Sequence, residues 1–227
     1  KALNYGSDHF TNHLPIVYIQ TVIGKNSEGV PVLQGIFIGD DMECFRKASE
    51  LSLKHNFQML NTPLKKVVVY LPPEEFKSTW LGNKAIYRTR MAIADKGELI
   101  ILAPGVKEFG EDKEIDQLIR KYGYRTTDEI LDLTKKNEDL QNNLGAAAHL
   151  IHGSSDDRFD ITYCTAKLSK EEIQSVHYNH AYLEEMMHIY NPSKLKDGFN
   201  LVKGEEIFYI SNPALGLWAN KSRFSQQ

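Results

Sequence analysis

Hydrophobic and polar residues alternate in two short blocks near the start of the chain. Residues 16–24 (IVYIQTVIG) are rich in β-branched and aromatic side chains, KNSEG then supplies turn residues, and VPVLQGIFIGD follows. This pattern predicts a β-hairpin. Asp40 or Asp41 can cap a helix that runs to about His55, because the apolar residues after them recur near one side of a helix.

The middle of the chain carries two nearly unbroken apolar runs, which are typical of strands covered on both faces of a parallel sheet. These runs are KKVVVYLPP, from Lys65, and ELIILAPG, from Glu98 to Gly105. The segment between them, NKAIYRTRMAIAD, has its apolar residues at helical spacing. We therefore predict a strand, a crossover helix and a second strand, joined with right-handed geometry.

Helical and strand patterns continue to alternate towards the end of the chain. Residues 112–152 contain three helical patterns in a row, and Thr126 or Thr127 with Glu129 resembles an N-terminal capping arrangement. A strand is predicted over 159–166, followed by helices in SKEEIQSVH and AYLEEMMHIY and a strand in EEIFYIS. The order predicts an α/β fold with a mixed, largely parallel sheet, flanking helices and an N-terminal β-hairpin, as a single domain over residues 1–227.

Composition and charge narrow the choice of partners. Lys plus Arg number 27 against 30 for Asp plus Glu, a net charge of -3, and no long basic block would follow a phosphate backbone, so we expect no nucleic acid partner. No apolar run approaches the ~18 to 20 residues of a membrane span, so we expect no membrane partner. Cys44 and Cys164 are expected as reduced, buried thiols, which favours a cytoplasmic location. The chain starts without Met, and we expect a longer polypeptide.

The motifs of common catalytic sites are absent. Histidine pairs three or four residues apart could share a metal ion on a helix, but no HExxH or CxxC accompanies them, and no GxGxxG follows a strand. The segment HGSSDDRFD, from His152 to Asp160, reads as a polar loop more readily than as a catalytic Ser-His arrangement. A hydrolase that uses His152, Ser154 or Ser155 and Asp156 stays open as a further hypothesis.

Ligand-binding loops are expected beyond the carboxyl ends of the parallel strands, as in open α/β sheets. Those loops are residues 72–83, 104–110 and 165–169. The predicted helix after the first loop carries Tyr87 and Arg88, and an arginine near a helix N-terminus is suited to bind a carboxylate. Lys84 and Arg90 could equally lie on a solvated helix face.

The succession of segments resembles the C-terminal half of the nickel-dependent lactate racemase family. The pieces that carry the resemblance are VYIQTVIGKNSEGVPVLQGIFIGDDMECFRKASEL, KKVVVYLPP, NKAIYRTRMAIADKGELIILAPGVKEFGED and NNLGAAAHLI leading into DITYCT. The resemblance implies a racemase or epimerase that inverts C2 of a 2-hydroxy acid by hydride transfer to a nickel-pincer nucleotide. It also implies that an N-terminal domain binds this cofactor, so that the present segment alone is inactive.

Residue by residue, the resemblance implies a substrate-binding role for part of this chain. Tyr87 matches the tyrosine of the family's Tyr-Gln pair, Arg88 stands where the glutamine is expected, and Met91 occupies the position of a lysine. The resemblance extends, more loosely, to Asn143 and His149, and Arg90 completes the candidate substrate-binding set. No residue here is expected to be catalytic or to bind metal. The alternative is a noncatalytic ligand-binding or interaction domain that has kept the fold.

Overall fold

The structure is a computed structural model that describes residues 5–6, 9–10, 14–26 and 30–224. The chain divides into two compact units, Lys1–Gln58 and Met59–Gln227. A single domain over residues 1–227 stays a prediction.

The first unit is a β-hairpin covered on one side by a helix. Strands β1 (Tyr18–Lys25) and β2 (Pro31–Gly39) pair antiparallel, and helix α1 (Met42–Asn56) follows. The helix begins here because the Asp41 carboxylate accepts a hydrogen bond from the Glu43 amide at 3.0 Å. The predicted hairpin and the predicted cap are both confirmed.

The two faces of this hairpin differ in composition. One face, which we call the outer hairpin face, consists of three cross-strand pairs: Ile19 with Ile38, Thr21 with Ile36, and Ile23 with Leu33. Its five aliphatic side chains are between 45% and 67% exposed. The other face lies against α1 and contains the buried Val22 and the half-buried Gly35. A Cβ on Gly35 would come within 2.6 Å of Leu51 Cδ2, so glycine lets the helix approach closely.

The second unit is built on a six-stranded sheet whose order is β7-β6-β5-β4-β9-β8. The strands are β4 (Leu64–Tyr70), β5 (Ile93–Leu102), β6 (Phe159–Cys164), β7 (Asn179–His180), β8 (Gly198–Val202) and β9 (Glu205–Ile210). All neighbours run parallel except β8, which is antiparallel to β9. Strand β3 (Phe57–Leu60) precedes this sheet, and Asn220 of β10 (Leu217–Asn220) donates a hydrogen bond to the Leu60 carbonyl. The predicted α/β class with a mostly parallel sheet is confirmed.

Helices cover both faces of the sheet. They are α2 (Thr79–Gly82), α3 (Lys84–Tyr87), α4 (Lys113–Tyr122), α5 (Thr127–Lys136), α6 (Glu138–Asn142), α7 (Leu144–His152), α8 (Lys170–Ser175), α9 (Leu183–Ile189) and α10 (Lys221–Phe224). The larger core joins Val67, Val69 and Ile101 to α2 through α8, whereas Val68 and Ile100 point the other way, towards α9. This alternation explains why consecutive residues are apolar in the runs VVV of β4 and LIIL of β5.

The crossover between β4 and β5 differs from its prediction. A helix was predicted over residues 83–95, but α3 contains only one turn and Arg88 is its C-cap. Thr89 Oγ1 donates back to the Ala85 carbonyl, and Ile93 already pairs with Leu64 as the first residue of β5. The β-branched Ile93 pairs with Leu64, so the last residues of the predicted helix belong to the sheet instead.

One further prediction concerns the residue at which a helix begins. Thr126 is the N-cap of α5 and forms a reciprocal capping box with Glu129, as predicted. Strand β8 was not predicted. It joins β9 through Lys203 and Gly204, which both have positive φ, because a two-residue turn must match the twist of its strands.

Both cysteines are buried and unpaired, as expected, and burial raises the pKa of the Cys164 thiol to about 12. Across the described ranges, the structure has no helix with the length and apolar character that crossing a membrane requires.

Candidate functional site

Two helical segments of the second unit expose a mixed aromatic and basic surface. Trp80 lies on α2, and Lys84 and Tyr87 lie three residues apart on one side of α3, where Lys84 Nζ is 5.8 Å from the centre of the Phe76 ring. His149 and His152, three apart on α7, face them. The Trp80 and His149 ring centroids are 4.3 Å apart, and those of Tyr87 and His152 are 5.8 Å apart. We call these five residues the helix-pair face.

A buried chain of hydrogen bonds fixes the position of His149. Thr79 Oγ1 donates to the Phe109 carbonyl at 2.9 Å and lies 2.7 Å from the Tyr124 hydroxyl, which lies 3.1 Å from His149 Nε2. Because each hydroxyl has one proton, Tyr124 must donate to Thr79 and accept from His149. The neutral ring of His149 therefore carries its proton on Nε2, which leaves Nδ1 as a proton acceptor.

The protonation state of His149 follows from its surroundings. Burial lowers the pKa of His149 to about 4, and the positive charge that His152 can carry acts in the same direction. His149 is consequently neutral near pH 7. His152 is exposed, and Lys84 and Tyr87 are partly exposed, so the face combines one buried neutral imidazole with groups that solvent reaches.

The structure assigns Arg88 a different set of contacts from the expected one. Arg88 is the C-cap of α3, and its Nη1 donates to the carbonyls of Ala214 and Gly216 at 3.2 and 3.0 Å. The expected position near a helix N-terminus is wrong, because the helix ends where it was predicted to continue. A cation at a helix C-terminus is electrostatically favourable.

Arg90 lies at the amino-terminal edge of the sheet in an ion pair with Asp156, with a distance of 2.6 Å between Nη2 and Oδ2. Asp156 also accepts hydrogen bonds from the Thr127 amide and hydroxyl at 2.7 and 2.8 Å. Partial burial acts to raise the pKa of Asp156, but the Thr127 hydrogen bonds and the Arg90 charge outweigh it and hold that pKa below its ordinary value. These contacts tie the end of the crossover to the start of α5.

Asn143 is the N-cap of α7. Its side-chain oxygen accepts from the Ala146 amide at 3.0 Å, and its nitrogen donates to Glu114 at 3.1 Å. Of the five residues proposed from the sequence, Tyr87 and His149 thus share the helix-pair face, whereas Arg88, Arg90 and Asn143 have internal contacts. Their roles toward substrate stay predictions. Trp80 and Tyr124 were missed, because their contacts join segments distant in sequence.

The loops at the carboxyl ends of the strands meet, as expected, and bond to one another. The Lys107 amide donates to the Lys77 carbonyl at 2.9 Å, and the Trp80 amide donates to the Phe109 carbonyl at 2.8 Å. Thr165 Oγ1 donates to the Val106 carbonyl at 2.6 Å. These bonds set the start of α2, and so the direction in which the helix-pair face points.

The hydrolase hypothesis depends on the segment from His152 to Asp156. Ser154 is buried, and its hydroxyl oxygen accepts from the Asp156 amide at 3.0 Å, whereas the His152 ring packs beside Tyr87. The serine borders a separate cavity of about 410 Å³ near the amino-terminal edge, which His177 also lines. Within the described residues, no hydrogen bond joins Ser154 or Ser155 to His152, and residues 153–158 form turns and irregular structure between α7 and β6.

No set of ligands for a nickel ion occurs in the part of the chain that the structure describes. Groups of three or more His, Cys, Asp or Glu side chains placed to hold a metal ion are not found there. The thiols, which are the softest ligands, are both buried. The described residues therefore do not form a metal site built from protein side chains alone.

Two solved structures share the fold of this chain. A protein from Thermotoga maritima aligns with a TM-score of 0.70 and 22% identity, covering 96% of this chain and 53% of that one. The lactate racemase apoprotein from Thermoanaerobacterium thermosaccharolyticum aligns with a TM-score of 0.60 and 14% identity, covering 89% of this chain and 45% of that one.

The chain thus has a lactate-racemase-like fold and spans about half the length of each of these proteins. No protein-family model and no curated protein matches it. At these identities the likeness concerns the fold alone.

Proposed function

We propose that this chain is the substrate-capping part of a racemase or epimerase that inverts C2 of a 2-hydroxy acid. The observation that carries the proposal is the helix-pair face, on which a buried neutral His149 lies beside groups that solvent reaches, within a lactate-racemase-like fold. The similarity to lactate racemase supports the choice of reaction class, since that is the activity its name states for the neighbour.

The chemistry of the face suits a 2-hydroxy acid. A carboxylate needs a cation or strong hydrogen-bond donors, and the neighbouring hydroxyl needs a donor or acceptor. Lys84 supplies an ammonium group, Tyr87 supplies a hydroxyl, and His152 can donate or accept. The Trp80 and His149 rings form an aromatic wall that can exclude water from one side of the substrate.

In this proposal the hydride acceptor is a nickel-pincer nucleotide held by a separate N-terminal cofactor domain. In this proposal that domain, and not the residues described here, supplies the protein ligand of the metal. The residues described here bind and orient the acid, and they shield it from solvent while the reaction proceeds. The 227 residues alone are accordingly expected to be inactive, and the complete protein is expected to act in the cytoplasm.

A noncatalytic ligand-binding domain is the second candidate. It is favoured by Arg88 and Arg90, the two cations expected to bind the substrate carboxylate, because both hold backbone or carboxylate groups of the fold. A domain that kept the architecture without the reaction would need neither of them for a substrate.

Inversion at C2 tests the proposal. The protein encoded by the complete gene, loaded with the nickel-pincer nucleotide, is incubated with single enantiomers of 2-hydroxy acids of increasing length, and the opposite enantiomer is followed by chiral chromatography. We expect inversion of at least one acid and its loss in the double variant Lys84→Ala/His152→Ala. Saturable binding of these acids without inversion would instead support the noncatalytic candidate.

A further inference from the structure

The outer hairpin face is an exposed apolar surface of the first unit. Its five aliphatic side chains and Thr21 form three adjacent cross-strand pairs, and none of the six residues is charged. Contiguous exposed apolar patches larger than a few hundred Å² mark interaction sites on soluble proteins. Isolated apolar residues are common on surfaces, but three consecutive pairs on one sheet face are a continuous patch.

The apolar composition of the outer hairpin face does not result from packing against helix α1, which lies on the opposite face. Helix α1 lies on the side with Gly35 and Gly39, where Cys44 Cβ would be 3.4 Å from a Cβ at Gly39. Five aliphatic residues of the hairpin therefore lie on the side away from its own helix, whereas Val22 lies on the helix side. A two-stranded hairpin is marginally stable alone, and it gains from packing on both faces.

We infer that the outer hairpin face is the docking surface for a second folded half with an aliphatic surface, the counterpart of the half-chain that the solved neighbours possess. This chain covers 53% and 45% of the two neighbours, so roughly half of each neighbour has no equivalent in the 227 residues. An uncharged face favours a permanent partner, because lasting interfaces resemble a divided core. The inference rests on the proposed function only in naming this partner as the half that binds the cofactor.

Cysteine labelling in the complete protein tests this surface. Ile38→Cys places a thiol on the outer hairpin face, where Ile38 is 67% exposed, and Leu201→Cys places a control thiol on β8, where Leu201 is 76% exposed. The native thiols are buried and contribute little background. Ile19→Cys provides a second position on the face, since Ile19 pairs with Ile38. The reaction of each variant with a maleimide is followed by mass spectrometry, with and without denaturant.

We expect thiols at positions 38 and 19 to react at least about tenfold more slowly than the control in the native protein, and equally fast in denaturant, because a docked layer shields them. Rates within that factor of the control would overturn the inference, as would a complete gene that encodes no further half. Protection that disappears on about 100-fold dilution, together with a dimer mass, would assign the face to a second copy instead. Protection without any inversion activity would retain this surface and remove the proposed function.

Discussion

The Arg88 guanidinium donates a hydrogen bond to the Gly216 carbonyl at 3.0 Å and so joins the end of α3 to the turn that precedes β10. The same nitrogen donates to the Ala214 carbonyl, and the side chain is partly buried. An arginine that the sequence suggested for substrate binding therefore connects two distant segments of the fold.

Replacing Arg88 should reduce stability. Arg88→Ala leaves the carbonyls of Ala214 and Gly216 without their donor, and we expect a loss of about 1–3 kcal/mol in the free energy of unfolding. Arg88→Lys should lose less, because an ammonium group can keep one of the two bonds. Urea denaturation measures both changes, with the exposed Lys135→Ala as the control. Equal stability of wild type and Arg88→Ala would show that these bonds contribute nothing.

The stability of the protein should depend on pH through His149. The native pKa is about 4, whereas an unfolded histidine titrates near 6.5, so between these values the unfolded chain binds more protons. This contribution is complete above pH 6.5 and is lost as the pH falls towards 4, to a total of about 3 kcal/mol. His149→Gln should therefore flatten the pH dependence of the unfolding free energy, whereas His188→Gln, at an exposed position, should not. The same slope in wild type and His149→Gln would contradict the buried neutral state.

The free energy of unfolding should depend both on the charge of Asp156 and on the presence of its side chain. The φ of 51° at Asp156 lies in the left-handed region, which Asn tolerates better than Ala. We expect Asp156→Ala to lose about 2–3 kcal/mol of unfolding free energy, since the Arg90 ion pair and the Thr127 hydrogen bonds disappear together. Asp156→Asn should lose less.

The pH dependence provides a check on Asp156. Because the native pKa is below the ordinary value near 4, the contribution of the carboxylate is present above pH 4 and is lost as the pH falls through the native pKa. The difference in unfolding free energy between wild type and Asp156→Asn should therefore shrink below pH 4. A difference that stays constant there would argue against the ion pair.

Substitution of Tyr87 tests whether the helix-pair face takes part in catalysis. If the Tyr87 hydroxyl binds the substrate, Tyr87→Phe in the complete, cofactor-loaded protein should lower kcat/KM. The loss should correspond to about 1 kcal/mol of transition-state stabilisation, the contribution of one neutral hydrogen bond. Tyr182→Phe, at an exposed position on another part of the surface, serves as the control. A change in unfolding free energy without a change in kcat/KM would make Tyr87 a packing residue beside His152.

The sequence predicted the parts of the fold that depend on local pattern. The apolar runs that became β4 and β5 and the capping box of Thr126 were predicted, because burial on both faces and caps leave a signature in consecutive residues. Strand β8 was missed, because its pairing depends on β9.

The candidate site was harder to predict from the sequence, because its geometry depends on contacts between residues that are far apart in the chain. The apolar spacing around Tyr87 predicted a long helix, yet Ile93 pairs with Leu64 and ends it, which moved Arg88 to a C-cap. The contact between Trp80 and His149 joins residues from two helices whose packing no local pattern specifies. Tyr87 could be chosen from sequence, because it follows the first loop at the carboxyl edge of the predicted sheet and because the family resemblance includes it.

The turn between β8 and β9 offers a route to a more robust protein. Lys203 carries a side chain in a left-handed backbone conformation, beside a glycine that adopts such conformations freely. Asparagine followed by glycine is the preferred pair for such a turn, so Lys203→Asn should raise the melting temperature without touching the helix-pair face. Such a background would let destabilised variants such as Arg88→Ala stay folded long enough for their activity to be measured.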